Sequence, residues 1–343
     1  MKKKIPLTIV ILSGSIFLLS AFTGAMKKPP HVSNAEIEQS AGKAFSILQK
    51  SGDLFILRGK GCASCHHNTL TSMVAEIAKQ KGIPVVDSFT TRRVKAMELV
   101  ISLENPNLID QFIGANFILP YTLLGLGAEK YRPNIYTDIS VDYLISQQKP
   151  DGSFLTESGR VPLETGEIHL ASMAIRAIQL YAPPSKKKYI GQLAIKTKQF
   201  LENANPEIHQ EIVFQLLGMQ WCGSDKEVKI KVAEKLKAMQ NADGGWAQLP
   251  TMRSDAYATG QALYALYESR MMKPEDPVYQ NGINYLLKTQ DESGAWIVAT
   301  RSYPIQPFFN SDFPPYDENQ FISATATNWA AMALLIALPD KIN

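Results

Sequence analysis

Apolar residues recur at helical spacing along most of the chain. Val228, Val232, Leu236 and Met239 fall at i, i+4, i+8 and i+11 with lysines between them, one apolar stripe on an otherwise polar helix. Tyr279, Ile283 and Leu286 repeat that stripe. Each of these segments is followed by one that is apolar on most sides, Ala256 to Tyr267 and Ala324 to Leu338. Strand-like alternation is scarce. The pattern predicts helices near 35–49, 67–80, 88–103, 116–128, 136–147, 166–181, 187–203, 207–220, 225–239, 256–269, 277–289 and 324–338. Stripe-faced helices alternating with all-round apolar ones suit an outer ring packed on a buried inner ring. The expected fold is all-α, a toroid of about six helical hairpins, because one hairpin alone cannot cover its apolar face. An open helical solenoid is the alternative.

A short motif punctuates the helices. Gln148-Lys-Pro-Asp151-Gly152-Ser-Phe154, Gln240-Asn-Ala-Asp243-Gly244-Gly-Trp246 and Gln290-Asp-Glu-Ser293-Gly294-Ala-Trp296 share Q-x-x-[DS]-G-x-[WF]. Their spacings imply a unit near 50 residues with one decayed copy. Gln49, Gly52 and Phe55 form a weaker echo upstream. Glycine after Asp or Ser suits a turn that needs positive φ, and the aromatic two residues later can cover a helix end. Gln at the end of the preceding helix can bond the turn's backbone. This reads as a structural device rather than a catalytic one.

These segments resemble the repeat of the squalene/hopene cyclase and protein prenyltransferase superfamily. The resemblance covers most of residues 35–340 and implies a terpenoid cyclase-like α/α toroid with an apolar, isoprenoid-binding cavity. The chemistry of that group is harder to find here. Its cyclases protonate substrate with D-x-D-D, whereas Asp312, Asp317 and Glu318 lack that spacing. The chain is also one toroid long, where those cyclases have two domains. Its prenyltransferases place a zinc histidine in D-x-Y-H-T, and the similar stretch here, Asp255-Ala-Tyr257-Ala258-Thr259, has alanine instead. The thioester toroids need C-G-E-Q, which Cys222-Gly-Ser-Asp does not match. Fold alone does not carry function.

Composition adds little until the charge is located. The 343 residues are 45% hydrophobic with a formal charge of +3, which excludes a disordered or collagen-like chain. Lys2, Lys3 and Lys4 precede an uncharged run from Ile5 to Phe22, then Thr23-Gly24-Ala25. This is the layout of a secretory signal, residues 1–25, cleaved after Ala25; an uncleaved membrane anchor is the rival. Residues 26–34 read as a linker and 35–343 as the toroid. Without those three lysines the charge is balanced, so no nucleic-acid partner is implied. The expected location is periplasmic or extracellular, with the membrane reached only through an uncleaved signal.

One motif carries specific chemistry. Gly61-Cys62-Ala63-Ser64-Cys65-His66-His67 contains C-x-x-C-H, the attachment pattern of c-type haem. There two thiols bind the porphyrin edge and the following His66 ligates iron. His169 is the weak candidate for a second axial ligand, with Met173 nearby; a helix-start histidine with ordinary partners is the plainer reading of His169. The rivals are a C-x-x-C disulfide and zinc on Cys62, Cys65 and a histidine, for which no fourth ligand is apparent. His209, among Glu207, Gln210 and Glu211, reads as surface, and Cys222 as a buried free thiol. The aromatic, proline-rich connection 297–322 is long enough to be a packed cap or a lid. No Ser-His-Asp signature, P-loop or dinucleotide fingerprint is present.

The sequence therefore leads to an exported toroid carrying haem c beside an apolar cavity, in a redox or ligand-sensing role with a redox partner. An isoprenoid- or lipid-modifying enzyme lacking the D-x-D-D acid is the alternative. A binding module for an apolar small molecule, with a C-x-x-C disulfide, is the third.

Overall fold

The computed structural model describes residues 32–58, 63–102, 115–156, 160–302 and 311–340, with the side chains of Cys65 and Ala115 left aside. The signal segment, Cys62 and residues 303–310 lie outside the described residues.

Twelve α-helices are present among the described residues. Six form the outer layer: α1 (Asn34–Arg58), α3 (Asp87–Ser102), α5 (Ile135–Ser146), α7 (Lys187–Asn203), α9 (Lys226–Ala238) and α11 (Pro277–Thr289). Six lie inside: α2 (Leu70–Gln80), α4 (Ala115–Ala128), α6 (Glu167–Tyr181), α8 (His209–Trp221), α10 (Ala256–Glu268) and α12 (Gln320–Ala337). Each inner helix packs on the next, and α12 packs on α2, so the inner ring is closed. The fold is the α/α toroid, and the open solenoid is excluded.

Burial explains the two helix types. In α12 nearly every position from Gln320 to Ile336 is buried. Its length and apolarity also match a membrane span, yet 89% of it is buried inside the protein. In α9 the buried line is Lys229, Ala233 and Leu236, with Val228, Val232 and Met239 half-buried beside it. The stripe is thus turned by one position from the sequence pattern. The turn arises because the Lys229 stem is buried and its Nζ reaches Gln220 Oε1 and the Ser269 carbonyl.

The repeated motif stitches hairpins together. Gly152, Gly244 and Gly294 have φ of 92°, 90° and 93°, the left-handed region where a side chain is strained. A Cβ at Gly244 would also lie 2.5 Å from the Asn281 carbonyl oxygen in the next outer helix. Gln240 Nε2 donates to the Gly244 and Val278 carbonyls at 2.9 and 2.8 Å. Gln290 does the same toward Gly294 and Ser40, at 2.9 and 3.0 Å, joining the last repeat to the first helix. The Trp246 and Trp296 indoles are buried and donate to the Leu236 and Leu286 carbonyls at 2.7 and 2.8 Å, closing the ends of α9 and α11. The weak echo at Gln49–Phe55 is not a turn: it lies within α1, which continues to Arg58.

Candidate functional site

The first turns of the inner helices converge at one mouth of the ring, and the turn at Cys65–Thr69 enters there. Ser64 holds a left-handed φ of 54°. Cys65–Thr69 then form a π-helical turn leading into α2, a rare geometry that often marks functional sites. The turn is clamped to α12: Thr325 Oγ1 donates to the His66 carbonyl at 3.2 Å, and Asn328 Nδ2 to the His67 carbonyl at 3.3 Å.

These clamps aim the two histidines in different directions. The His67 ring packs edge-on against buried Phe313, 5.7 Å between centroids, and its Nε2 lies 3.1 Å from the Leu48 carbonyl. The His66 ring meets Tyr121 edge-on at 4.9 Å. Its Nε2 lies 3.4 Å from Glu164 Oε1, but the alignment is not that of a hydrogen bond, and the nitrogen has no hydrogen-bond partner among the described residues. Glu164 in turn pairs with Arg160 Nε at 3.2 Å. Burial pushes the His66 imidazole down to about 4, opposed by Glu164 and reinforced by Arg160. Burial also takes His67 down to about 4. Both rings are therefore neutral at pH 7.

His169 sits deeper, fully buried. Its Nδ1 is 3.1 Å from the Thr165 carbonyl and 3.0 Å from Gln210 Nε2. Its Nε2 is 3.3 Å from the Tyr121 hydroxyl, and its ring lies 3.9 Å from that of Phe214. Gln210 continues the chain by accepting from the Tyr257 hydroxyl. Tyr121, His169, Gln210 and Tyr257 thus link α4, α6, α8 and α10. Burial lowers His169 to about 3. Both nitrogens of the candidate axial ligand are engaged, whereas His66 Nε2 has no hydrogen-bond partner among the described residues. Met173 is buried one turn further along α6.

Aromatic rings fill the centre. His66, Tyr121, His169, Phe214, Trp329 and Tyr264 form a continuous series of ring contacts, and α2's leading turn and the other five inner helices each contribute one. Asp255 stands at the rim of the same mouth. It caps α10 by accepting from the Ala258 amide at 2.9 Å and accepts from Gln248 Nε2 at 2.9 Å. Burial raises its carboxyl above the usual range, opposed by those two hydrogen bonds and by Arg301.

Several expectations change. His209 is not surface but buried, with neither nitrogen partnered among the described residues, because α8 is enclosed on almost all sides. Cys222 is free, and burial pushes its thiol up to about 12. Residues 311–319 pack as a cap: Ser51 Oγ donates to the Ser311 carbonyl at 2.7 Å, Arg58 pairs with Asp312 at 2.7 Å, and Phe313 is buried. Cys62 lies outside the described residues, so its approach to His66 is too. Sequence patterns did not single out Glu164, Arg160, Tyr121 or Gln210, which no motif marks. Among the described residues, no three His, Cys, Asp or Glu side chains converge as a metal site.

Comparison with known proteins agrees with this architecture. No family model matches the chain. A drimenyl diphosphate synthase from Streptomyces showdoensis is 25% identical over 180 residues, 48% of this chain. The match spans only 32% of that relative. Among solved structures, the type II terpene cyclase MstE from Scytonema, bound to its substrate geranylgeranyl dihydroxybenzoate, superposes with a TM-score of 0.56 at 12% identity. That superposition covers 89% of this chain and 98% of MstE. A protein from Actinoplanes gives 0.55 at 12% identity, over 86% and 99% of the two chains. The fold is thus that of the terpenoid cyclases. A single toroid covers nearly all of MstE, so one-toroid length does not separate this chain from them, contrary to the expectation from length.

Proposed function

We propose that the protein is an enzyme that binds an isoprenoid-like lipid in the toroid and rearranges it by protonation. The observation that carries this reading is the central series of aromatic rings, one from every inner helix or its leading turn. Such π faces attract cationic carbon as they attract other cations. The names of the relatives, a terpene cyclase with a geranylgeranyl substrate and a drimenyl diphosphate synthase, support it. Asp255 is the candidate acid: burial raises its carboxyl, against the hydrogen bonds from the Ala258 amide and Gln248. Glu164, ion-paired to Arg160, is set to hold positive charge instead. A proton from the Asp255 carboxyl adds to an alkene carbon, the resulting cation is attacked by a second alkene, and a proton leaves to water or carboxylate. The net change is isomerisation, with no co-reactant.

Asp255→Asn tests this cleanly, because Asn remains a good helix cap but carries no acid. With geranylgeranyl and farnesyl substrates, the variant is expected to keep lipid binding within threefold and lose product formation at least 100-fold. Unchanged turnover overturns Asp255 as the acid, and absence of binding by the wild-type protein overturns the function.

A second reading is favoured by His66 Nε2, which has no hydrogen-bond partner among the described residues and is suited to a metal ligand. In it Cys62 and Cys65 carry a covalent c-type haem with His66 on iron, in an exported protein with a redox or ligand-sensing role. The haem would supply electron transfer or gas binding; His169 would be available to it only by giving up its 3.3 Å contact with the Tyr121 hydroxyl. Zinc is the variant of this reading with a new ligand: the 3.4 Å between His66 Nε2 and Glu164 Oε1 resembles the ~3.3 Å between two ligands of one tetrahedral zinc. A haem spectrum that survives denaturation and disappears in Cys62→Ser supports haem. One bound zinc lost in Glu164→Gln supports zinc, and colourless, metal-free protein from a host that attaches haem overturns both.

A further inference from the structure

At the opposite mouth, where the inner helices end, lies a cavity of about 420 Å³ lined from all six of them. One wall is apolar, built by Met73, Ile77, Leu124 and Ile336. The other holds charge, and most of that charge is already neutralised. Lys130 pairs with Glu76 and Lys81 with Asp340, both at 2.6 Å.

Two charges in the cavity are not neutralised. The Arg176 guanidinium lies over the Trp221 ring, 5.7 Å from its centroid. Trp221 Nε1, at the edge of that ring, donates to Glu268 Oε1 at 3.4 Å. Arg176 and Glu268 are both half-buried, and neither forms an ion pair with any of the described residues. One indole contacts both members of an opposite pair that does not close. Tyr264, whose hydroxyl also has no hydrogen-bond partner among the described residues, lines the same cavity and feels both charges.

The sign pattern selects a ligand. An anion alone would meet the Glu268 carboxylate, and a cation alone would meet Arg176, each at a cost in a partly desolvated site. A head group carrying both signs satisfies both residues at once. Its oxyanion takes the guanidinium fork and the Tyr264 hydroxyl. Its ammonium takes Glu268, helped by the carbonyl ends of the inner helices. The apolar wall then receives a chain. We propose that this mouth binds a single-chain amphiphile with a zwitterionic, ethanolamine-phosphate type head group. The site lies at the end of the ring opposite His66 and Asp255, shares Tyr264 with the central ring series, and does not depend on the lipid chemistry assigned there.

The test is a charge-swap titration followed by calorimetry. Lauroyl-lysophosphatidylethanolamine below its micelle concentration is the zwitterionic probe, lauroyl-lysophosphatidic acid the anion and dodecylammonium the cation. Wild-type protein should bind the zwitterion at least tenfold more tightly than either single-charge probe. Arg176→Gln should reverse that preference toward the cation, and Glu268→Gln toward the anion. Thermal midpoints within a few degrees of wild type show that the variants are folded. Variants that fall in stability together without changing selectivity would mean the two residues simply pair with each other, overturning the site. Binding of free phosphoethanolamine as tight as that of the lauroyl probe would overturn the assignment of a chain to the apolar wall.

Discussion

Among single residues, the glycines of the repeat are the sharpest case of sequence dictating structure. Gly244 combines a φ of 90° with backbone 2.5 Å from any added Cβ, so Ala is penalised twice. Left-handed strain costs about 1 kcal/mol, and the Asn281 carbonyl must shift as well. Gly244→Ala should therefore lower stability by about 2–4 kcal/mol. Gly223 provides the comparison. Its φ is 72°, but a Cβ added there would meet no described atom within 4 Å, so Gly223→Ala should cost only the strain. Denaturant unfolding of the two variants measures the difference. Equal losses would show that the close approach of α11 contributes nothing. Gly244 was readable from the motif, as were the caps formed by Trp246 and Trp296. His209 was not, because its polar neighbours in sequence suggest a surface position while its own ring turns inward.

Helices were more legible than the site they frame. Eleven of the twelve fall within a few residues of the positions their apolar periodicity indicates, since burial against a ring leaves a durable 3.6-residue signature. The exception is α1, which runs on through Gly52 to Arg58. Gly52 there faces Asn68 and His67 so closely that a Cβ would lie 2.3 Å from Asn68 Oδ1. What resembled a turn glycine is instead a helix-packing glycine that admits the C-x-x-C-H turn. The site itself was half legible. The sequence marked Cys62, Cys65, His66 and, as a weaker candidate, His169; Asp255 appeared there only in the stretch where Ala258 replaces a zinc histidine. Glu164 and Arg160 lie in an irregular connection before α6, and Tyr121 is one apolar-looking position in an apolar helix. Only the closure of the ring brings them to His66, some 50 to 100 residues away in sequence. Periodicity encodes which face is buried, not which buried face meets which.

For the molecule as a whole, closing a ring around polar first turns has a thermodynamic consequence. It buries four imidazoles, His66, His67, His169 and His209, whose titration falls to about 4, 4, 3 and 3. Unfolded histidine titrates near 6.5, so between those values the unfolded chain binds more protons and stability falls as pH falls. Glu211 acts in the opposite sense. Burial raises it to about 7, against the Ile168 and His169 amides, so near pH 5.5 it holds one proton in the folded state that the unfolded chain lacks. Four protons against one leaves a net uptake of about three on unfolding, a slope of about 4 kcal/mol per pH unit. A total stability of about 5–15 kcal/mol would be largely consumed between pH 6.5 and 4. Both contributions fade as pH rises past 7, and stability should be nearly flat close to pH 8. Denaturant titrations at half-unit steps from pH 4.5 to 8 read this directly. His209→Leu should remove one proton from the slope and raise stability most at the acid end, since it also replaces a buried ring whose two nitrogens have no partners among the described residues. A stability profile that is flat from pH 5 to 6.5 would mean that the ring opens enough to hydrate these histidines, and the closed mouth would not then describe the protein in solution.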